Sequence, residues 1–558
     1  MNHFDRRSFL SLAGRSGAAL MMAGMAPRMW PQWRPPTIPA DEPPPNILII
    51  LVDQWRYPQW FPDQPALDAL LPNTAALRQG AVNFTQHFAA ATACTPSRAC
   101  MLTGLYTHQH FCMITEASEL HPDFPTFGDF LRQFGYATQW FGKWHVADDG
   151  DGGSAAPYDY LDPYGFTAYT WPDPHGAPGQ GMNVDGDIAT QAATWLTATP
   201  ARSEEPWCTV VSLVNPHDIM FYPRFIPAGE DNPPAQFADY PPNYETATAI
   251  QTHKPSLQAE LIKVANRQFG QMGHAPANKA EWVDLLDTYL FMEQMVDTQI
   301  GVVMTALESV PAVKNNTVVI FTCDHGEYGG SHGLRGKGGA AYDEAIHVPF
   351  IVKDFSGKLQ SQPGDRTQLT SHVDLAPLLL TIAYGDNGWR TINECSHLAN
   401  RLDMLELVRD PNAAGRPYIL HTTDEPGTEE KEGVDYAPFD SSAPWHVTCL
   451  RTAEGKFSTY SFWRENSTAI LSEGQETECY DYATEAGRKE MANISNTTDE
   501  RFVQLQQTLE EDALYAELRA PLPYHLTRAQ VEARGDYLAY LGQLGWQQHL
   551  PFVAGGAG

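Results

Sequence analysis

At 558 residues the chain is too long for one small hydrophobic core, and it fits a large α/β domain with a smaller one beside it. Apolar residues make up 43% of it, which excludes a disordered chain; 67 acidic against 36 basic side chains leave a formal charge of -31, which excludes nucleic acid as a partner. An anionic substrate therefore has to be met by a local cluster of positive charge.

The N-terminus carries Arg6 and Arg7 ahead of a moderately apolar stretch from Leu12 to Met25 that is too short and interrupted to span a membrane. It resembles a bacterial twin-arginine signal, so residues 1–30 are expected to be used by the twin-arginine export machinery, leaving a periplasmic or secreted protein that is not an integral membrane protein. No cysteine precedes Cys94, so no N-terminal lipid anchor is expected. A proline-rich linker over residues 31–45 follows.

The apolar run from Asn46 to Val52 reads as a strand buried on both faces in a parallel sheet, ending in Asp53 and Gln54. Ligands gather at that end of such sheets. Cys94-Thr95-Pro96-Ser97-Arg98, with Leu102-Thr103-Gly104 beyond it, reads as the start of a helix. Pro96 has no amide hydrogen to leave unpaired in its first turn, and the free N–H groups there face an anion held near Cys94 and Arg98. Thr126-Phe127-Gly128-Asp129 has the form of a capping box, and Phe127, Phe130, Leu131 and Phe134 share one face of the helix it opens. A strand from Ala137 to Phe141 then presents Lys143 and His145 beyond its end, and a second from Cys208 to Val214 leads to Asn215-Pro216-His217.

The segment from Phe221 to about Lys279 is richer in Pro, Tyr, Asn and Gln; following His217 directly, it is expected to wall the pocket. Trp282 to Val310 is a long helix by its apolar spacing. Thr317 to Cys323 repeats the first strand's pattern and ends in Asp324-His325-Gly326-Glu327, so two strands deliver two ligand pairs to one sheet edge. A glycine-rich stretch holding His332, Arg335 and Lys337 follows, then a helix-to-strand passage from Asp343 to Val352 and a helix opening at His372-Val373-Asp374. Beyond Pro417 short β-rich runs, Tyr418–Leu420, His446–Arg451, Lys456–Tyr460 and Cys479–Tyr482, alternate with turns. Helical spacing over 500–517 and 528–545 closes the chain and offers either self-association into a homo-oligomer or pocket closure. Cys100, Cys112, Cys208 and Cys323 read as core thiols, and two of Cys395, Cys449 and Cys479 can pair in an exported protein.

The Cys94 motif, Gly135-Tyr136-Ala137-Thr138 with Lys143-Trp144-His145, the Pro216-His217 pair and the glycine-rich loop with Lys337 together resemble the sulfatase family of the alkaline-phosphatase-like superfamily, over about Asn46 to Asn493. The resemblance implies a large, mostly parallel sheet flanked by helices over 46–416, and a smaller antiparallel-sheet subdomain with a helical tail over 417–558. It implies that Cys94 is converted to formylglycine by a formylglycine-generating maturation system. It also implies one divalent cation, Ca2+ first with Mn2+ or Mg2+ as alternatives, held by Asp53, Gln54, Asp324, His325 and the modified Cys94. The family commonly has Asp where Gln54 stands and often Asn where His325 stands. Its catalytic set falls on Cys94, Arg98, Lys143, His145, His217 and Lys337, with Arg335 second to Lys337 as the sulfate-binding cation.

The implied reaction is hydrolysis of a small alkyl or aryl sulfate ester. The hydrated aldehyde is the nucleophile, Arg98, Lys143 and Lys337 draw off charge, His217 or Lys337 protonates the leaving alcohol, and His145 is the base for release. A phosphonate monoester or phosphodiester hydrolase of the same superfamily is the alternative. A third reading is an inactive exported protein that binds sulfated ligands. Peptide mass analysis across Cys94, in protein made by a host with the maturation machinery, is expected to show the mass of formylglycine and its hydrate; unmodified cysteine in folded, exported protein contradicts it.

Overall fold

The computed structural model describes residues 43–543 apart from 60–62, 116, 148–158, 199–204, 227–234, 425–441 and 465. The segments expected to be an export signal (residues 1–30) and, for the most part, a proline-rich linker (31–45) lie outside the described residues. The strands among the described residues, taken in chain order, are β1 (Asn46–Asp53), β2 (Val82–Phe88), β3 (Ala91–Thr92), β4 (Ala137–Gly142), β5 (Thr167–Ala168), β6 (Trp207–Pro216) and β7 (Thr317–Cys323), followed by β8 (His347–Asp354), β9 (Gly364–Arg366), β10 (Thr370–Ser371), β11 (Ile419–Thr423), β12 (His446–Arg451), β13 (Gly455–Trp463) and β14 (Ile470–Asp481).

Nine of them form one sheet in the order β10-β2-β8-β7-β1-β6-β4-β5, with β9 beside β2. It is mostly parallel, as expected; β8 runs against both of its neighbours. β1 lies at the centre, parallel to β6 on one side and β7 on the other, and the register sets Val52 against Cys323. All eight residues of β1 are buried. Leu48, Ile50 and Val52 face a core shared with Ile188 and Ala192 of the helix Gln180–Ala198 and with Leu290, Val296, Ile300 and Val303 of the helix Lys279–Glu308. Ile49 and Leu51 face the opposite layer, against Met101, Leu102 and Leu375. Helices on both faces explain why the strand reads as a continuous apolar run.

Thr126 caps its helix as predicted: its Oγ1 accepts from Gly128 N at 3.0 Å, while Asp129 accepts from Thr126 N at 2.9 Å. The second sheet has the order β14-β13-β12-β11-β3. Four of its strands are antiparallel, and the fifth comes from the other half of the sequence, since Ala91 and Thr92 of β3 pair in parallel with Thr422 and Thr423 of β11. The smaller sheet therefore borders the residues that lead straight into Cys94. The tail is helical over Glu500–Gln507, continues as a wider π-helix over Thr508–Leu518, and is followed by the helix Tyr524–Gln543. All eight cysteines are free and buried, so Cys395, Cys449 and Cys479 form no disulfide in this structure.

Ile50→Ala removes a fully buried side chain from the central strand. It is expected to lower stability by about 2–5 kcal/mol, read from denaturant unfolding against the unchanged chain.

Candidate active site

Adjacent parallel strands bring Asp53, the last residue of β1, beside Asp324, the first residue after β7. The helix Cys94–Thr103 starts against the same edge, with Ser97 Oγ donating to Asp324 O at 2.5 Å. Asp53, Cys94, Asp324 and His325 are all buried and place their donor atoms within 4.8 Å of one another, a spacing that can hold a metal ion. His325 Nδ1 is 3.0 Å from Gly326 O, so the ring hydrogen belongs there, and Nε2 faces the cluster 3.2 Å from Cys94 Sγ and 3.7 Å from Asp324 Oδ1. Burial, with Lys337 nearby, outweighs the Asp324 and Asp53 carboxylates and lowers the His325 pKa, so the imidazole is neutral, the form that binds a metal.

Gln54 sits at the turn out of β1 with a left-handed φ of 68°. Its N–H donates to Asp324 Oδ1 at 3.1 Å, its Oε1 accepts from Lys337 Nζ at 2.5 Å, and its Nε2 donates to Glu327. Asp53, Asp324 and His325 with position 94 could hold a metal ion, and the Gln54 amide oxygen beside them would make a mostly oxygen environment, which suits calcium, manganese or magnesium.

Three cations crowd this carboxylate pair. Lys143 Nζ lies 2.7 Å from Asp53 Oδ2, and Lys337 Nζ lies 4.0 Å from Asp53 Oδ1. Arg98 donates through Nε to Asp324 at 2.9 Å and through Nη2 to Asp53 at 3.2 Å. Burial pushes the Asp53 carboxyl up, but the Lys143, Lys337 and Arg98 cations outweigh it and hold it well below the usual range. Burial likewise works against the charge on Lys143, and Asp53 more than restores it.

Arg98 has further partners within the protein. Its Nη1 also donates to Lys143 O at 2.8 Å and Ser212 Oγ at 3.0 Å, so four of the five guanidinium N–H groups go to protein acceptors and the group braces the two carboxylates. Arg335 likewise donates to Tyr222 O at 2.5 Å, Ala265 O at 2.7 Å and Gly270 O. It pins the glycine-rich loop to the 222–270 segment and leaves Lys337 as that loop's cation at the carboxylates. His332 points away from them: its Nδ1 is 2.8 Å from Glu245 and its ring stacks on Tyr342 at 3.6 Å.

His145 takes a left-handed φ of 58°, and the Asp173 carboxylate accepts both Trp144 N and His145 N at 2.8 Å. Thr95 Oγ1 donates to His145 O at 2.8 Å, tying this segment to the Cys94 helix. His217 is buried with Nδ1 lacking a hydrogen-bond partner, and burial together with Lys337 and Lys143 holds it neutral. Gly176 passes directly over it: φ is +103°, and a Cβ there would lie 2.7 Å from His217 Cε1 and 3.0 Å from Lys143 Nζ. Asp173, Gly176 and Glu327 are contributors that the sequence reading did not select. Glu327 stands in the run after β7; Asp173 and Gly176 sit in a Pro- and Gly-rich turn that carries no signal of its destination.

A family model described as sulfatase matches residues 45–385. The chain is 28% identical over 339 residues to the uncharacterized sulfatase YidJ of Escherichia coli K12, covering 56% of this chain and 62%, less than two thirds, of that protein. It is 27% identical over 434 residues to an ulvan-active sulfatase of Formosa agariphila, covering 74% of each. Among solved structures, a phosphonate monoester hydrolase from Silicibacter pomeroyi superposes with a TM-score of 0.60 at 20% identity, covering 87% of this chain and 97% of that one.

Asp324→Ala removes the acceptor of Arg98 Nε, Gln54 N and His325 N together. It is expected to cost about 3–5 kcal/mol of stability by leaving a buried charge uncompensated. It is also expected to abolish retention of a divalent cation, read by elemental analysis after dialysis; unchanged metal content removes Asp324 from the ligand set.

Proposed function

The chain belongs to the sulfatase family, and from that premise we propose that it hydrolyses alkyl or aryl sulfate esters to alcohol and sulfate with residue 94 as nucleophile. The observation that carries this reading is the position of Cys94 Sγ: 3.2 Å from His325 Nε2, 3.7 Å from Lys143 Nζ and 3.7 Å from Asp53 Oδ1, at the start of a helix. A nucleophile there meets cations on the side where a sulfate would sit, and the first-turn N–H groups of the helix add positive potential.

Asp53, Gln54, Asp324 and His325, with residue 94, would hold a divalent cation, which when bound supplies Lewis acidity that stabilises anionic oxygen at the reacting centre. Conversion of Cys94 to formylglycine would supply a hydrate with two hydroxyls, one to attack sulfur and one to expel sulfate, an internal exit that a serine lacks. Lys143 and Lys337 bind and neutralise the sulfate oxygens. Arg98 orients both carboxylates. His217, neutral and with an unused ring nitrogen, hydrogen-bonds the leaving oxygen, and Lys337 is the ammonium that can supply its proton. His145, held by Asp173 through its backbone, serves as the base for sulfate release.

Gln54 and His325 stand in place of the commoner Asp and Asn, and a phosphonate monoester or phosphodiester carries the same single negative charge as a sulfate ester, so the three cations can seat it as well. That favours a phosphonate monoester or phosphodiester hydrolase as the second reading.

Rates on sulfate and phosphonate or phosphate esters with one shared leaving group separate the two, and the larger kcat/KM is expected on the sulfate. Cys94→Ala is expected to keep its unfolding transition and lose turnover, and Lys337→Ala to lose at least about 100-fold in kcat/KM, about 2.7 kcal/mol of transition-state stabilisation. Turnover retained by pure Cys94→Ala contradicts the nucleophile assignment, and faster phosphoryl transfer replaces the sulfatase reading with the second one.

A further inference from the structure

Gln54 is the one member of the proposed cation set whose donor atom is decided by a rotation. An amide presents either oxygen or nitrogen to a given side, and only the oxygen can bind a cation. Two neighbours address its two ends. Lys337 Nζ, a donor only, is 2.5 Å from Oε1. Glu327 Oε2 faces Nε2 on the other side and accepts from it. The remaining carboxylate oxygen of Glu327, Oε1, accepts from Gly329 N at 3.0 Å and Gly336 N at 2.6 Å, the latter one residue before Lys337. Gln54 and Glu327 are both fully buried, so no water competes for these bonds.

We infer that Glu327 is a positioning residue that sets the polarity of the Gln54 amide, directing Oε1 to the cation seat, while its other oxygen holds the loop that carries Lys337. A carboxylate is required opposite Gln54 because every alternative fails on donor and acceptor counting. With Glu327→Gln, Oε1 of the new amide can keep the two glycine N–H groups, but its NH2 then meets the NH2 of Gln54. The relief is a flip of Gln54 that turns nitrogen toward Lys337 and the cation. With Gln54→Glu alone, two carboxylates face each other in a buried site. With both changes the amide and the acid have exchanged places: the NH2 of the residue at 327 donates to a carboxylate at 54, and an oxygen again faces the cation. Glu327 thus couples one cation ligand and the loop of one sulfate-binding ammonium through a single carboxylate. The inference rests on the reading of Gln54 as a cation ligand.

The test uses the full chain, stripped of metal, titrated calorimetrically with calcium and separately with manganese, alongside thermal unfolding in chelator. Glu327→Gln is expected to weaken binding of the preferred cation by about 10- to 100-fold. Glu327→Gln with Gln54→Glu is expected to recover at least about tenfold of that loss, a rescue that general loosening of the loop does not produce. Wild-type affinity in Glu327→Gln, or a double variant no tighter than Glu327→Gln, overturns the role of Glu327 while leaving the cation site in place. Wild-type protein that binds neither cation overturns both. Should Glu327→Gln not fold, Glu327→Asp retains the charge but retracts it from Gln54; weakened binding with unchanged unfolding in chelator supports the assignment, and wild-type affinity overturns it.

Discussion

Two buried carboxylates set side by side at the ends of adjacent parallel strands are the constraint on which the site depends. Asp53 and Asp324 are 0% exposed and lie at neighbouring strand ends. Removing an ion from water costs several kcal/mol even after relaxation, and two like charges add repulsion. A single cation at 4 Å returns only about 4 kcal/mol at an effective dielectric constant of 20. One partner is therefore too few, and three converge: Arg98 bonded to both acids, Lys143 at 2.7 Å from Asp53, and Lys337 at 4.0 Å from Asp53. The same arrangement that makes the acids tolerable creates a positive island in a chain of formal charge -31.

Each cation arrives on a different element. Arg98 comes from the Cys94 helix, Lys143 from the end of β4, and Lys337 from the glycine-rich loop after β7. Folding the site thus requires the central sheet, the helix layer and the loop together. Gly176, with its left-handed φ and no room for a Cβ above His217 and Lys143, brings a fourth segment over the top. The smaller sheet belongs to this assembly as well, because β3 is hydrogen-bonded to β11 immediately before Cys94. Arg335 and His332, both in the glycine-rich region, anchor it to the 222–270 segment and to Glu245 and leave Lys337 as the residue that reaches the acids.

Arg98 shows how a group's partners decide its work. As one basic residue in a short motif it reads as a sulfate ligand. In the fold four of its five N–H groups go to Asp324, Asp53, Lys143 O and Ser212, so it is tied first to the carboxylates it holds. Glu327 illustrates the complementary case, a carboxylate whose surroundings are an amide, two backbone N–H groups and a distant ammonium, and whose effect passes through Gln54.

What the sequence by itself determined is everything written in local pattern: the apolar runs of β1 and β7 with their terminal Asp-Gln and Asp-His pairs, the helix start at Cys94, the Thr126 capping box, and the Lys143 and His217 positions beyond strand ends. Those features follow from periodicity and from the chemistry of a few adjacent residues, which is why the mostly parallel sheet and the members of the cluster were legible. The tertiary structure alone decided which donors meet which acceptors. Arg98 reaches Asp324 across 226 positions, and Gln54 reaches Glu327 across 273. Asp173 finds the N–H groups of Trp144 and His145, and Ala91–Thr92 joins a sheet built from residues beyond 418. No local pattern encodes such pairings, because buried polar groups must be satisfied by whatever partner the packed chain brings within about 3 Å.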